Sequence, residues 1–129
     1  MNENKLHKIY HAFNGKLVGT FEMKLHVCRV LSNMPQEIID FVTKNCWFMG
    51  SMDDSWAYAF RGNDLKDQHL IFLSDHLLNQ DDTQIHYTIA HEIGHAYLQH
   101  RNSVFINQSK GEIQKQEIEA DRFAKRYAS

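Results

Sequence analysis

The fold of this chain is decided by residues 81–97, DDTQIHYTIAHEIGHAY, and by a second segment, QEIEADRFA, at residues 116–124. Apolar residues of the first segment recur at helical spacing, which predicts one buried stripe. They are Ile85, Ile89, Ile93 and Ala96. The Asp-Asp-Thr cluster at residues 81–83 offers an N-cap for this helix, which we expect to end near His100. The second segment falls in a last helix over residues 111–127.

The letters HEIGH place two histidines, His91 and His95, four positions apart on the first of these helices. Side chains at that spacing lie on one helical face, about 5–6 Å apart at Cβ, so both imidazoles can reach one zinc ion at roughly 2.0–2.1 Å. Glu92 is rotated about 100° from His91 and lies beside the metal. There its carboxylate can take a proton from zinc-bound water, which predicts that Glu92 is the catalytic base. His86 precedes His91 by five positions and lies off this face.

A catalytic zinc also needs a third protein ligand and one open position for water. The last helix offers Glu117 or Glu119. We favour Glu117 because Asp121 follows it by four positions on the same face, where Asp121 could hydrogen-bond the outer nitrogen of His91. Glu119 is rotated about 200° from Glu117 and should face solvent or pair with a neighbour. The sequence therefore predicts one zinc ion per chain, held by His91, His95 and Glu117.

Elsewhere the patterns predict helices followed by short strands. Helical spacing, with Pro35 as a first-turn residue of the third helix, predicts helices at residues 6–13, 21–31 and 35–45. Short apolar runs between turn-rich segments predict strands at residues 47–49, 56–60 and 69–73. Asn14-Gly15 would end the first helix, although the pair is also a hairpin turn signal. We therefore predict an α+β fold, with a small antiparallel sheet packed on helices, in a single domain over residues 1–129.

Composition restricts the class of protein. At 129 residues the chain fits one compact domain, and its apolar runs are far shorter than the roughly 20 residues that cross a bilayer. Fourteen basic residues against sixteen acidic ones, without a basic cluster, predict no direct nucleic acid binding. Cys28 and Cys46 form no CxxC motif, and the polar first residues contain no signal peptide. We therefore expect a reduced, cytoplasmic protein without a membrane segment. Its nine histidines are unusually many and direct attention to metal chemistry.

Over about residues 68 to 125 the sequence resembles the gluzincin metallopeptidases, and within them most nearly the ImmA/IrrE family. The residues that carry the resemblance are Ala90, His91, Glu92, Ile93, Gly94, His95, His100, Glu117, Ala120, Asp121, Phe123 and Ala124. The resemblance implies a thermolysin-like (zincin) upper lobe, zinc on His91, His95 and Glu117, and Glu92 as the catalytic carboxylate. It also implies a zinc-dependent endopeptidase that cleaves a protein or peptide substrate, such as a DNA-binding repressor.

The chain departs from this family in two respects. Relatives continue well beyond the third ligand and often supply a His or Tyr that stabilises the oxyanion, whereas this sequence ends at Ser129. The candidates for that group, by residue type alone, are Tyr97, His100 and Tyr127. Asp121 stands where many relatives have Asn. These departures keep open an alternative function, a catalytically inactive or latent zincin-fold module that binds a regulatory partner, and more remotely a hydrolase acting on a non-peptide amide.

Overall fold

Helices surround a small sheet in this chain. The computed structural model describes residues 3–50, 69–73, 75–98 and 110–128. The elements in chain order are α1 (Glu3–Ala12), β1 (Leu17–Val18), α2 (Phe21–Ser32), α3 (Gln36–Asn45), β2 (Cys46–Gly50), β3 (His69–Leu73), α4 (Asp75–Leu78), α5 (Asp82–Tyr97) and α6 (Lys110–Tyr127). The described part is mostly helical with a small sheet, which is compatible with an α+β fold. Within it, no helix combines the length and apolar character needed to cross a membrane.

The first helix ends at the Asn-Gly pair. Asn14 and Gly15 have positive φ angles of 50° and 87°, a left-handed conformation that Gly adopts freely and Asn more readily than most residues. The chain does not form a hairpin there but enters β1, a two-residue strand that the sequence did not predict. The backbone carbonyl of Lys16 accepts a hydrogen bond from the N–H of Phe48 at 2.9 Å, which ties this turn to β2.

The sheet is parallel, so the predicted antiparallel arrangement is wrong. Its strand order is β1-β2-β3, with Leu17 opposite Phe48 and Phe48 opposite Ile71. Parallel neighbours need a crossover of about a dozen residues or more, which α2 and α3 provide between the first two strands. Residues 51–68 connect β2 to β3 in sequence. They include the strand predicted at residues 56–60, which lies outside the described residues.

The core lies where α2, α3 and α5 meet the sheet. Its largest fully buried side chains come from helices and strands alike. They are Phe13, Phe48, Met23, Leu31, Met49, Leu73, Ile85, Ile89, Ile93, Val27, Val30 and Val42. The predicted apolar stripe of α5 is confirmed, because Ile85, Ile89 and Ile93 are at most 1 % exposed. Burial of each such side chain contributes about 1.5–3 kcal/mol of transfer free energy. The stripe fixes which face of α5 points away from the core.

The ends of α5 follow local hydrogen bonding. The carboxylate of Asp81 accepts a bond from the N–H of Gln84 at 2.8 Å, so the predicted N-cap is confirmed. The helix ends at Tyr97, earlier than predicted, and the N–H of Leu98 bonds to the carbonyl of Gly94 at 2.9 Å. His100, where we expected the end, lies outside the described residues.

Small residues let α6 pack closely against α5. A Cβ atom added at Gly94 would lie only 3.0 Å from Cδ1 of Phe123 and 3.1 Å from its Cβ. On α6, the small residues Ala120 and Ala124 are fully buried. Because Gly94 stands between His91 and His95 in sequence, this close approach brings the polar face of α6 beside the two histidines.

Candidate metal centre

Two histidines on α5 form the first half of the site. His91 and His95 are one helical turn apart, and their ring centroids are 4.8 Å apart with an interplanar angle of 84°. The side chain of His91 is 16 % exposed and that of His95 only 10 %. Both rings are therefore largely held by the surrounding protein while their polar edges face the neighbouring helix.

The second half of the site comes from α6. One carboxylate oxygen of Glu117, Oε2, lies 3.2 Å from Nε2 of His91, and the other, Oε1, lies 3.2 Å from Nε2 of His95. The Glu117 side chain is 52 % exposed, so it bridges the two imidazoles from the solvent side. Glu119, the alternative ligand, is half-buried on the same helix and is not part of this cluster.

The three residues fit a metal ion. The ligand atoms of His91, His95 and Glu117 all lie within 4.8 Å of one another. Ligands placed tetrahedrally at about 2.0–2.1 Å from a zinc ion are about 3.3–3.4 Å apart. In this cluster each imidazole Nε2 lies 3.2 Å from its own oxygen of the Glu117 carboxylate. Two imidazoles and one carboxylate also form a donor set that divalent transition metals accept. The cluster therefore has the donor types and the proximity that a metal site requires.

Glu92 lies on the other side of the His91 ring. Its Oε1 is 3.7 Å from Nδ1 of His91, and its side chain is 39 % exposed. The carboxylate is thus adjacent to the three-residue cluster, outside it, and open to solvent. It contacts the nitrogen of His91 that does not face Glu117.

Asp121 contacts the same nitrogen of His91 that Glu117 contacts. Its Oδ1 lies 3.3 Å from Nε2 of His91, and not beside Nδ1 as expected for a bond to an outer nitrogen. The same Oδ1 accepts a hydrogen bond of 2.7 Å from the hydroxyl of Tyr87. This bond raises the pKa of Tyr87, so the phenol stays protonated and remains a donor.

Sequence reasoning overlooked Tyr87. It lies one turn before His91, and the two rings are stacked with centroids 6.2 Å apart. The four-residue spacing of Tyr87, His91 and His95 was the available signal. Among the three candidates for an oxyanion group, the hydroxyl of Tyr97 points to Glu37 at 3.5 Å, and the ring of Tyr127 packs on that of Phe123. The third, at position 100, lies outside the described residues.

Comparison with known protein families shows a match to the Peptidase U49 family over residues 83–128. Neither the curated proteins nor the solved structures include a significant match. The matched segment contains all of α6 and all of α5 except its first residue, and therefore every residue of the cluster. The match indicates a peptidase and does not single out the ImmA/IrrE peptidases, so the chain is similar to a peptidase family over the part that carries the candidate metal centre.

Proposed function

We propose that this chain is a zinc-dependent metallo-endopeptidase, with zinc on His91, His95 and Glu117 and with Glu92 as the catalytic carboxylate. The single observation that carries the proposal is the convergence of the three ligand atoms within 4.8 Å, on two helices inside the segment that matches a peptidase family. Three protein ligands leave one position for water, which is the arrangement of a catalytic zinc site. We further propose that α5 and α6 belong to a thermolysin-like upper lobe.

The chain's own residues would perform the proton transfers. A bound zinc ion would polarise the scissile carbonyl and lower the pKa of its water towards about 7. The Glu92 carboxylate, exposed beside His91, would accept the proton of that water and deliver it to the leaving amine. His91 and His95 are largely buried on α5, with side chains 16 % and 10 % exposed.

The sheet offers a place for the substrate backbone. In the described part of the chain β3 has a strand on one side only, because the order is β1-β2-β3. An extended peptide could add to its free edge through main-chain hydrogen bonds. Main-chain hydrogen bonds discriminate little between peptide sequences, so substrate specificity would come from side-chain pockets. We propose a regulatory protein such as a DNA-binding repressor as the substrate.

We also propose that the protein works in the cytoplasm. Cys28 and Cys46 are free and buried, and burial raises the pKa of Cys28 to about 11 and that of Cys46 to about 12. Both thiols stay protonated and pack as small apolar groups. Unpaired buried thiols are usual in a reducing compartment.

One observation favours a second candidate, a latent zinc-binding module. Asp121 lies as close to Nε2 of His91 as Glu117 does, at 3.3 Å against 3.2 Å. If Asp121 also bound the metal, four protein ligands would close the site, as in structural zinc centres. Such a protein would bind its partner without cleaving it.

The first experiment is zinc stoichiometry of the purified wild type beside Glu117→Ala and Glu119→Ala. We expect about one zinc per chain, lost in the Glu117 variant and retained in the matched Glu119 variant. Wild-type protein that takes up no zinc after reconstitution would refute the proposal. Co-expression with candidate repressors, comparing wild type with Glu92→Gln, then separates the enzyme from the module. Cleavage by the wild type alone supports the enzyme, and binding by both without cleavage supports the module.

A further inference from the structure

Two carboxylates compete for one nitrogen in the candidate metal centre. Nε2 of His91 lies 3.2 Å from Oε2 of Glu117 and 3.3 Å from Oδ1 of Asp121. Both carboxylates come from α6, where they are one turn apart on the same face. A metal ion on this nitrogen would therefore find two carboxylates within similar reach.

The difference between the two outcomes is chemically large. With Glu117 alone, the metal has three protein ligands and one position for water or a substrate carbonyl. With Asp121 bound as well, all four tetrahedral positions are occupied by protein and the site becomes a closed, structural one. Hydrolysis therefore requires that Asp121 be held back from the metal.

Tyr87 is placed to hold it. Its hydroxyl donates a hydrogen bond of 2.7 Å to Oδ1 of Asp121, the oxygen that is nearest to His91. Hydrogen bonds from a hydroxyl to an ionised carboxylate are short and roughly twice as strong as neutral ones. Tyr87 is anchored on α5 one turn before His91, with the two rings stacked at 6.2 Å. The donor therefore keeps a fixed position relative to the metal ligands.

We propose that Tyr87 is a positioning residue that retains Asp121 outside the coordination sphere and so keeps one coordination position open. The inference rests on the proposed metal site and adds to it a residue that decides between the open and the closed centre. Tyr87 acts through Asp121 and does not itself touch the metal. Loss of its hydroxyl releases Asp121 to bind the ion in place of solvent.

The test uses cobalt as a spectroscopic substitute for zinc and azide as a small ligand for the open position. The proteins are wild type, Tyr87→Phe, the double variant Tyr87→Phe/Asp121→Asn, and Tyr97→Phe as a matched control. Tyr97 lies at the end of the same helix, and its hydroxyl faces Glu37 instead of the cluster. Phe at position 87 preserves the ring that stacks on His91, and circular dichroism verifies that each variant is folded.

We expect wild type and Tyr97→Phe to bind one cobalt ion and to change their visible spectra when azide is added. Tyr87→Phe should retain one cobalt ion but bind azide at least about tenfold more weakly, an effect comparable with other changes around metal ligands. The double variant should regain azide binding because an Asn side chain lacks the competing charge.

Three results would overturn the inference. Azide binding could be unchanged in Tyr87→Phe, it could be weakened without recovery in the double variant, or Tyr87→Phe could lose its cobalt altogether. The last result would assign Tyr87 to metal affinity instead of to the open position. All three leave the proposed function intact, since the wild type still holds its metal. A wild type that binds neither cobalt nor zinc refutes the proposed metal site itself.

Discussion

Helix α5 contributes to two histidine pairs, one within the helix and one with α2, and the two pairs have different surroundings. His91 and His95 have ring centroids 4.8 Å apart. His86 meets His26 of α2 with centroids 5.1 Å apart, and Nδ1 of His26 lies 3.0 Å from Nε2 of His86. Carboxylate oxygens of Glu117 and Asp121 lie 3.2 Å and 3.3 Å from Nε2 of His91. By contrast, Oε1 of Glu22 lies 3.8 Å from Nε2 of His26, the nitrogen that does not contact His86.

The helix packed beside each histidine pair, and not the histidines themselves, determines whether that pair can bind a metal ion. Beside α6 the imidazoles face carboxylates, which supply negative charge and a third metal ligand. Beside α2, His86 faces His26, and a hydrogen bond between their rings uses one N–H and one lone pair. Burial lowers the pKa of His86, with further lowering by the charges of His26 and Arg29 and opposition from Asp82. The lowered pKa favours the uncharged form of the His86 ring, and the second pair is a structural contact.

The largest expected effect concerns the carboxylate beside the first pair. Glu92→Gln should slow peptide cleavage about 10²–10⁴-fold, because an amide cannot accept the proton of the attacking water, while zinc remains bound. The measurement is the cleavage rate of a co-expressed substrate or of a quenched peptide library, with zinc content determined in parallel. Glu22→Gln is the matched control, since Glu22 stands beside the other pair, and it should cleave at the wild-type rate. Equal rates for Glu92→Gln and wild type would refute the role of Glu92.

Zinc should stabilise the protein through one histidine pair only. At a free zinc concentration about 100 times the dissociation constant, binding adds about 2.7 kcal/mol to the free energy of unfolding. We expect His95→Ala to lose this gain and His86→Ala to keep it, even though both variants are destabilised without metal. Thermal unfolding with zinc and with a chelator measures the difference. If zinc stabilises both variants, or neither of them, the two histidine pairs do not differ in zinc binding.

The sequence predicted those features that depend on spacing along one helix. The stripe of Ile85, Ile89 and Ile93 and the N-cap Asp81 follow from helical period and capping, and both are confirmed. The spacing of His91 to His95 likewise predicted a shared face, and the structure brings their ligand atoms together with that of Glu117.

Features that depend on contacts between distant elements could not be predicted. The predicted strand direction was wrong because an apolar run such as β2 indicates that a strand is buried but does not indicate the direction of its neighbour. The bond from Tyr87 to Asp121 spans 34 positions, and the contact of His26 with His86 spans 60. No local period encodes such pairs, which follow from how α5 packs against α2 and α6.

The close packing of α6 against α5, beside the first histidine pair, should depend on Gly94. An Ala there would bring its Cβ to 3.0 Å from the Phe123 ring, and overpacking of this kind costs about 1–3 kcal/mol. Higher helix propensity offsets about 1 kcal/mol of this. We therefore expect a small net loss of stability together with weaker zinc binding, because α6 must move away from His91 and His95. Chemical denaturation and a zinc competition titration measure the two effects.

Gly15→Ala is the control for that experiment. At Gly15 the space is open but φ is +87°, so Ala costs about 1–2 kcal/mol through backbone strain alone. This variant should lose stability and keep the wild-type zinc affinity. If Gly94→Ala also keeps that affinity, the close approach of the two helices does not set the metal centre.

The smallest effect is a difference in pH dependence at the second pair, measured on metal-free protein. Because the folded-state pKa of His86 lies below its ordinary 6.5, the unfolded chain binds more protons than the folded one between these two values. The free energy of unfolding should therefore fall as the pH decreases through about 6.5, until the folded-state pKa is reached, and the loss is absent at higher pH. His86→Gln removes this titrating group, so the difference between wild type and variant should narrow or reverse on acidification. Urea denaturation at about pH 7.5 and pH 5.5 measures it, and identical pH slopes for the two proteins would contradict a lowered pKa of His86.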